Sequence, residues 1–143
     1  MKILVNIDVP ELVPAIEFYC AALGLSHNRT LDNDVAELTG GSSVIYLLQN
    51  AEGADPGRRL ATPRRYCGHW TPVHLDFVVE DIEQAAERVV AAGGIRESEC
   101  VQWRGSKCIT FSDPFGHGFC LIEFADEAYQ EGSSRIPSRK QAN

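Results

Sequence analysis

An internal repeat restricts the fold of this chain more than any other feature. Shifted by 70 positions, residues 8–24 (DVPELVPAIEFYCAALG) fall on residues 78–94 (VVEDIEQAAERVVAAGG) without a gap. Val9/Val79, Ala15/Ala85, Glu17/Glu87, Ala21/Ala91, Ala22/Ala92 and Gly24/Gly94 coincide, while Leu12/Ile82 and Val5/Leu75 keep their apolar character. Such a period means that one supersecondary unit is built twice and that each copy needs its neighbour to bury an apolar face.

Each copy opens with apolar residues at every second position, Ile3, Val5, Ile7 and Val9, then Val73, Leu75, Phe77 and Val79. This is the pattern of a half-buried strand. Acidic turns at Pro10-Glu11 and Glu80-Asp81 then start a helix, where negative charge suits the N-terminal dipole. Helical spacing follows in Leu12, Ala15, Ile16, Tyr19 and Leu23, and in Ile82, Ala85, Ala86, Val89 and Ala92. Gly24 and Gly93-Gly94 supply left-handed stops. Strand-like segments come next, at 26–31, 34–39 and 43–49 and at 98–103, 106–112 and 118–124. Asp32-Asn33, Gly40-Gly41, Arg104-Gly105 and Asp113-Pro114-Phe115-Gly116 break them. The predicted order is β-α-β-β-β, twice. Residues 1–50 and 71–125 are expected to be the two modules of one α+β domain, with residues 51–70 connecting them and residues 126–143 expected as an extension that is at least partly disordered.

Charge and cysteine content narrow the function. The net charge is −7, and the basic residues gather in two stretches, Arg58, Arg59, Arg64 and Arg65 and then Arg135, Arg139 and Lys140. The domain body is therefore more acidic than the net figure and would repel a phosphate backbone, which argues against nucleic acid. Both basic stretches read as solvated linker and tail. No run approaches the roughly 18–20 apolar residues of a membrane span, and polar residues interrupt the N-terminus before a signal sequence could form. A cytoplasmic protein is expected. The five cysteines are odd in number and form no CxxC pair, so neither a disulfide framework nor a structural zinc site is expected.

Three segments in order, VPELVPAIEFYCAALGL, VHLDFVVEDIEQAAERVVAAGG and FSDPFGHGFCLIEF, resemble the vicinal oxygen chelate superfamily of glyoxalase I, bleomycin-resistance proteins and extradiol dioxygenases. The resemblance covers residues 2 to about 125. It implies two tandem βαβββ modules whose curled sheets form a cupped, barrel-like surface around a small molecule, often with a divalent metal, in a homodimer. It also implies metal ligands on the first and last strand of each module, which here are Leu4, Tyr46, His74 and Cys120. Leu4 offers no donor, a neutral phenol is a poor ligand, and two donors do not hold an ion. No cofactor is therefore expected. Were a metal bound, His74 and Glu123 would be its ligands, although strand alternation turns Glu123 away from Cys120.

The expected ligand-binding set is Leu4, Asn6, Tyr46, His74, Asp76, Trp103 and Cys120, lining a mainly apolar cup. His74 is the candidate catalytic base, with Asp76 two residues on to orient it. Each has a plainer role: His74 and Asp76 as a satisfied pair at the sheet seam, Cys120 as a small cup liner without the cation a nucleophilic thiol needs. Tyr46 and Trp103 are aromatic walls for a planar ligand. Phe115 belongs to a turn and the core, His27 and His117 need no role, and Trp70 packs the crossover or a dimer interface. The function expected is binding of a small planar or hydrophobic molecule without a complete metal site. The alternatives are a lyase or isomerase using His74, and a degenerate metal-dependent enzyme.

Overall fold

A computed structural model of the chain describes residues 1–55, 63–68 and 70–125, apart from the side chain of Trp103. Residues 56–62 of the expected connection and the expected extension at 126–143 lie outside the described residues.

The first copy contains β1 (Leu4–Val9), α1 (Leu12–Leu23), β2 (Ser26–Leu31), β3 (Val35–Thr39) and β4 (Val44–Gln49). The second contains β5 (Leu75–Val78), α2 (Ile82–Ala91), β6 (Ile95–Arg96), β7 (Val101–Trp103), β8 (Ser106–Ser112) and β9 (Gly118–Glu123). The strand expected at 98–103 begins only at Val101, and a separate two-residue strand, Ile95–Arg96, precedes it. Between the two the Ser98 hydroxyl, rather than a neighbouring strand, accepts the Thr110 N–H at 3.0 Å, and the Arg96 guanidinium holds the Ser98 carbonyl. Side-chain competition of this kind breaks a ladder.

Two sheets result, in the orders β1-β4-β3-β2 and β5-β9-β8-β6, with β7 also on β8. In each, the first strand runs parallel to the last and the remaining pairings are antiparallel. The sheets do not close on each other. Tight hairpins recur at matching places: Asp32 and Asn33 adopt φ 48° and 64° in the three-residue link between Leu31 and Val35, and Arg104 and Gly105 adopt φ 49° and 83° in the two-residue link between Trp103 and Ser106.

The helices cover one face of each sheet and pack against one another, so a single core holds both copies. Val9, Phe18, Tyr19, Leu38 and Leu47 from the first join Ile82, Val89, Ile109, Phe111 and Leu121 from the second. The repeated glycines serve different ends. Gly24 (φ 66°) is the left-handed stop of α1. A Cβ on Gly94 would stand 2.5 Å from a Val89 methyl and 3.3 Å from the Phe18 ring, so Gly94 lets the helices approach.

The helix starts repeat more faithfully. Glu11, at the N-cap of α1, makes no capping bond; Gln49 at the end of β4 accepts the Leu12 N–H at 2.9 Å instead. In α2, Asp81 caps the Gln84 N–H, and Glu123 at the end of β9 accepts the Ile82 N–H at 2.9 Å. One residue at the end of the last strand thus satisfies an orphan donor of each helix.

Across the modules, the Tyr19 hydroxyl donates to the Asp113 carboxylate at 2.5 Å, both residues being almost fully buried. Asp113 also accepts the Phe115 and His117 N–H groups on its other oxygen. Burial, then the neighbouring Asp113 charge, pushes the Tyr19 phenol well above its ordinary pKa. Phe115 joins the core, edge-on to Phe18.

Candidate functional site

Alternation along the first strands sorts their side chains. Val5, Ile7 and Val9 turn to the helices, and Leu4, Asn6 and Asp8 to the open face; in the second sheet Leu75 and Phe77 turn inward while His74, Asp76 and Val78 are exposed. Among the described residues β1 and β5 are paired on one side only, and their other edges border a cleft of about 1180 Å³. Leu4 to Asp8, Pro63 to Cys67, Val73 to Leu75 and His117 to Phe119 line it, along with Tyr19, Leu48, Thr71 and Phe77.

The lining combines apolar side chains with polar ones. Asp8 is part of the lining, paired with Arg64 at 2.5 Å and accepting from Asn50 at 3.1 Å, while the Asp8 carbonyl lies 2.6 Å from His117 Nε2. Arg64, read from sequence as part of a solvated linker, therefore anchors the crossover to β1. Tyr66 extends the anchor, donating to the Asn50 carbonyl and meeting His117 edge-on. Glycines make room: a Cβ on Gly116 would stand 2.8 Å from the Tyr66 carbonyl, and one on Gly118 2.3 Å from the Trp70 ring. Trp70 consequently lies over Gly118 and leans on His74, ring centroids 4.8 Å apart.

His74 joins the cleft to a second group. Its Nε2 lies 3.2 Å from Asp76 Oδ1, and the donor atoms of His74, Asp76 and Cys120 all lie within 4.8 Å of one another. The pairing of β5 with β9 sets Asp76 opposite Cys120, and that of β8 with β9 sets Thr110 opposite Cys120, their Oγ1 and Sγ 3.6 Å apart. Cys108 is a diagonal neighbour on the same face. Burial first, then the nearby Cys120, Asp76 and Cys100, pushes its thiol up to about 11. None of the five cysteines is in a disulfide.

A third group lies on the first sheet, where Glu37 is buried among polar partners. It accepts two bonds from Arg29 at 3.1 Å each, one from Asn28 at 2.5 Å and one from the Tyr46 hydroxyl at 2.7 Å. A register shift between His27 and Arg29 accompanies the arrival of both Asn28 and Arg29 at one carboxylate. The bonds from Arg29, Tyr46 and Asn28 hold the Glu37 carboxyl down at about 2. The same contact raises the Tyr46 phenol above its ordinary pKa.

The residues expected to line one cup thus stand in three places. Leu4, Asn6 and His74 border the cleft, Asp76 and Cys120 meet His74 beside it, and Tyr46 is held by Glu37 on the other sheet. Trp103 belongs to β7, and its side chain lies outside the described residues. Glu123 faces α2, accepting from Ile82 and, at 3.1 Å, from Lys107, and has no part in the His74 group. Glu37 was legible in principle, since it alternates with Ala36 and Leu38 and shares a sheet face with Tyr46. The Asp8–Arg64 pair, 56 residues apart, left no local signal.

Two modules of this order, each with its first strand parallel to its last, define a paired βαβββ protein with a ligand-sized cleft. The chain belongs to the glyoxalase-like domain family, whose model matches residues 4–122. No curated protein matches it by sequence. Among solved structures, it is similar to a fosfomycin-resistance protein of Listeria monocytogenes (TM-score 0.66, 16% identity, covering 87% of this chain and 93% of that one). A hypothetical protein of S. aureus gives 0.65 and 22%, covering 87% and 97%. A lactoylglutathione lyase of Agrobacterium tumefaciens gives 0.61 and 18%, covering 87% and 94%. At these identities the likeness concerns the fold.

The four positions at which the vicinal oxygen chelate resemblance implies metal ligands do not fit such a site here. Leu4 has no donor atom, and the Tyr46 phenol is kept protonated by Glu37, to which it donates. Only His74 and Cys120 remain of the four.

Proposed function

We propose that the chain binds a small organic molecule in the cleft between β1 and β5, with His74 as its main polar contact. The observation that carries this reading is the cleft itself. At about 1180 Å³ it is ample for a metabolite or antibiotic, and it offers an apolar wall of Leu4, Leu75 and Phe77 beside polar groups from Asn6, Arg65 and His117. The similar structures include a lyase and a resistance protein, both named for small polar compounds. The mixed lining favours a ligand with an apolar body and an acceptor or anionic group over a purely hydrophobic one. The reading extends to a cytoplasmic protein and to a homodimer, the latter supported by apolar side chains left exposed at Leu4, Val73 and Val78.

A second reading is an isomerase or lyase in which His74 is the base. The 3.2 Å contact to Asp76 favours it, because a carboxylate at one ring nitrogen fixes the tautomer and stabilises the imidazolium formed. The ring nitrogen facing the cleft would take the proton.

A thermal-shift screen with aromatic acids, thiol–aldehyde adducts and phosphonates tests binding, with Leu4→Trp filling the cleft as control. Stabilisation of wild type, lost in Leu4→Trp, is expected; an equal shift in both proteins removes the cleft. Loss of turnover in His74→Ala with affinity kept would establish the second reading, and loss of affinity alone would end it. Sedimentation equilibrium tests the dimer, and a monomer at micromolar concentration would refute it.

A further inference from the structure

We infer that the open face of the second sheet is a site for a thiophilic cation, of the Zn²⁺ or Cd²⁺ type, ligated by His74, Asp76 and Cys120, with Cys108 placed to take the fourth position. The site does not depend on the cleft reading, and it differs from the four-position arrangement that fails to fit. Its donors come from one module and include sulfur.

The geometry is close to that required. Ligands at about 2.0–2.3 Å from a tetrahedral ion stand about 3.5 Å from one another. His74 Nε2 and Asp76 Oδ1 are already 3.2 Å apart, and Cys120 Sγ lies within 4.8 Å of both. A movement of roughly 1 Å at side-chain ends completes three bonds at this spacing. The sheet holds the donors in place, since Asp76 faces Cys120 across one pairing and Cys108 lies diagonal to Cys120 across the next.

Charge and softness agree. A carboxylate and the Cys120 thiolate neutralise a divalent ion, Cys108 as a second thiolate adds one negative charge, and a sulfur–imidazole set selects Zn²⁺ or Cd²⁺ over Mg²⁺ or Mn²⁺. Binding breaks the S–H bond of each ligating cysteine as its S–metal bond forms, and the protons leave to water. His74 and Asp76 are exposed while Cys120 is buried, so an ion would enter from solvent and settle onto the thiolate.

The test is titration of chelator-treated full-length protein with Cd²⁺, read by thiolate-to-metal charge-transfer absorption, followed by competition with Zn²⁺ and with excess Mg²⁺. One equivalent of Cd²⁺ is expected, displaced by Zn²⁺ and not by Mg²⁺. Cys120→Ser should abolish the band. His74→Ala and Asp76→Ala, at exposed positions where folding is not at stake, should each weaken binding at least about tenfold, the least that loss of even a supporting group costs. Cys67→Ser, at an exposed cysteine outside the group, should change nothing. Cys108→Ser should roughly halve the band, from two thiolates to one; an undiminished band would remove Cys108 from the site. No band in wild type, full affinity in His74→Ala, or a band lost in Cys67→Ser would overturn the inference. The Cd²⁺ band is read without any organic ligand, and Leu4 is not among the donors, so Leu4→Trp should bind Cd²⁺ like wild type even where it has lost its organic ligand.

Discussion

Tyr19→Phe tests the idea that one buried hydrogen bond fastens the two modules together. The change removes only the hydroxyl, and the ring keeps its edge-on contact with Phe18 at 5.0 Å. What is lost is a bond from a neutral donor to a carboxylate, with both residues about 2% exposed. Deleting a partner of a buried charged group costs about 1.5–3 kcal/mol. Asp113 keeps two backbone donors on Oδ1, so only Oδ2 is stranded and about 2 kcal/mol is expected. At about 3–4 °C per kcal/mol for a domain of this size, Tm falls by about 7 °C. Urea denaturation of wild type, Tyr19→Phe, Asp113→Asn and the double variant measures both the loss and the coupling, expected at about 1 kcal/mol or more. Alkaline pH supplies an independent sign. The raised phenol keeps its proton in the folded state while the unfolded chain loses it above about pH 10, so wild-type stability falls as pH rises past that point. Tyr19→Phe should fall less steeply. A variant within about 0.5 kcal/mol of wild type, or strictly additive single changes, would refute the reasoning.

Glu37 gives the acid counterpart. Its lowered carboxyl contributes stability above its ordinary pKa of 4.5 that is lost as pH falls towards about 2, so Glu37→Gln should flatten the acid limb of a urea-midpoint profile between those values. Gln49→Ala strands the Leu12 N–H and should cost about 1 kcal/mol in the same assay, the usual loss for a helix cap. Glu123→Ala should also destabilise, with added loss of the Lys107 pair. For Gly118→Ala, the new methyl must push Trp70 off His74, so tryptophan emission in a Trp103→Phe background should shift to longer wavelength. Unchanged emission would contradict the contact.

The sequence made the modules legible because strand alternation, helical spacing and turn residues are local signals repeated in one chain. Parity along β9 was enough to set Glu123 against α2 and Cys120 on the open face. What escaped depends on distant partners. Ser98 breaks the strand at 98–103 only because Thr110 lies opposite. Asp113, explicable by its turn alone, takes on its second duty from a tyrosine 94 residues earlier. Alternation assigns side chains to sheet faces, but it does not say how far apart two unjoined sheets stand. Tyr46 shows the result: it faces outward as parity requires, yet its hydroxyl is taken by Glu37.

The paired devices at the helix starts differ in one atom type, and this makes the two halves respond differently to acid. Gln49 cannot titrate, so the start of α1 keeps its acceptor at every pH. Glu123 is held below its ordinary pKa by the Ile82 N–H and then by Lys107, and once protonated it grips both more weakly. Acidification therefore loosens α2 before α1. A duplication that looks symmetric in its backbone has a preferred end from which to come apart.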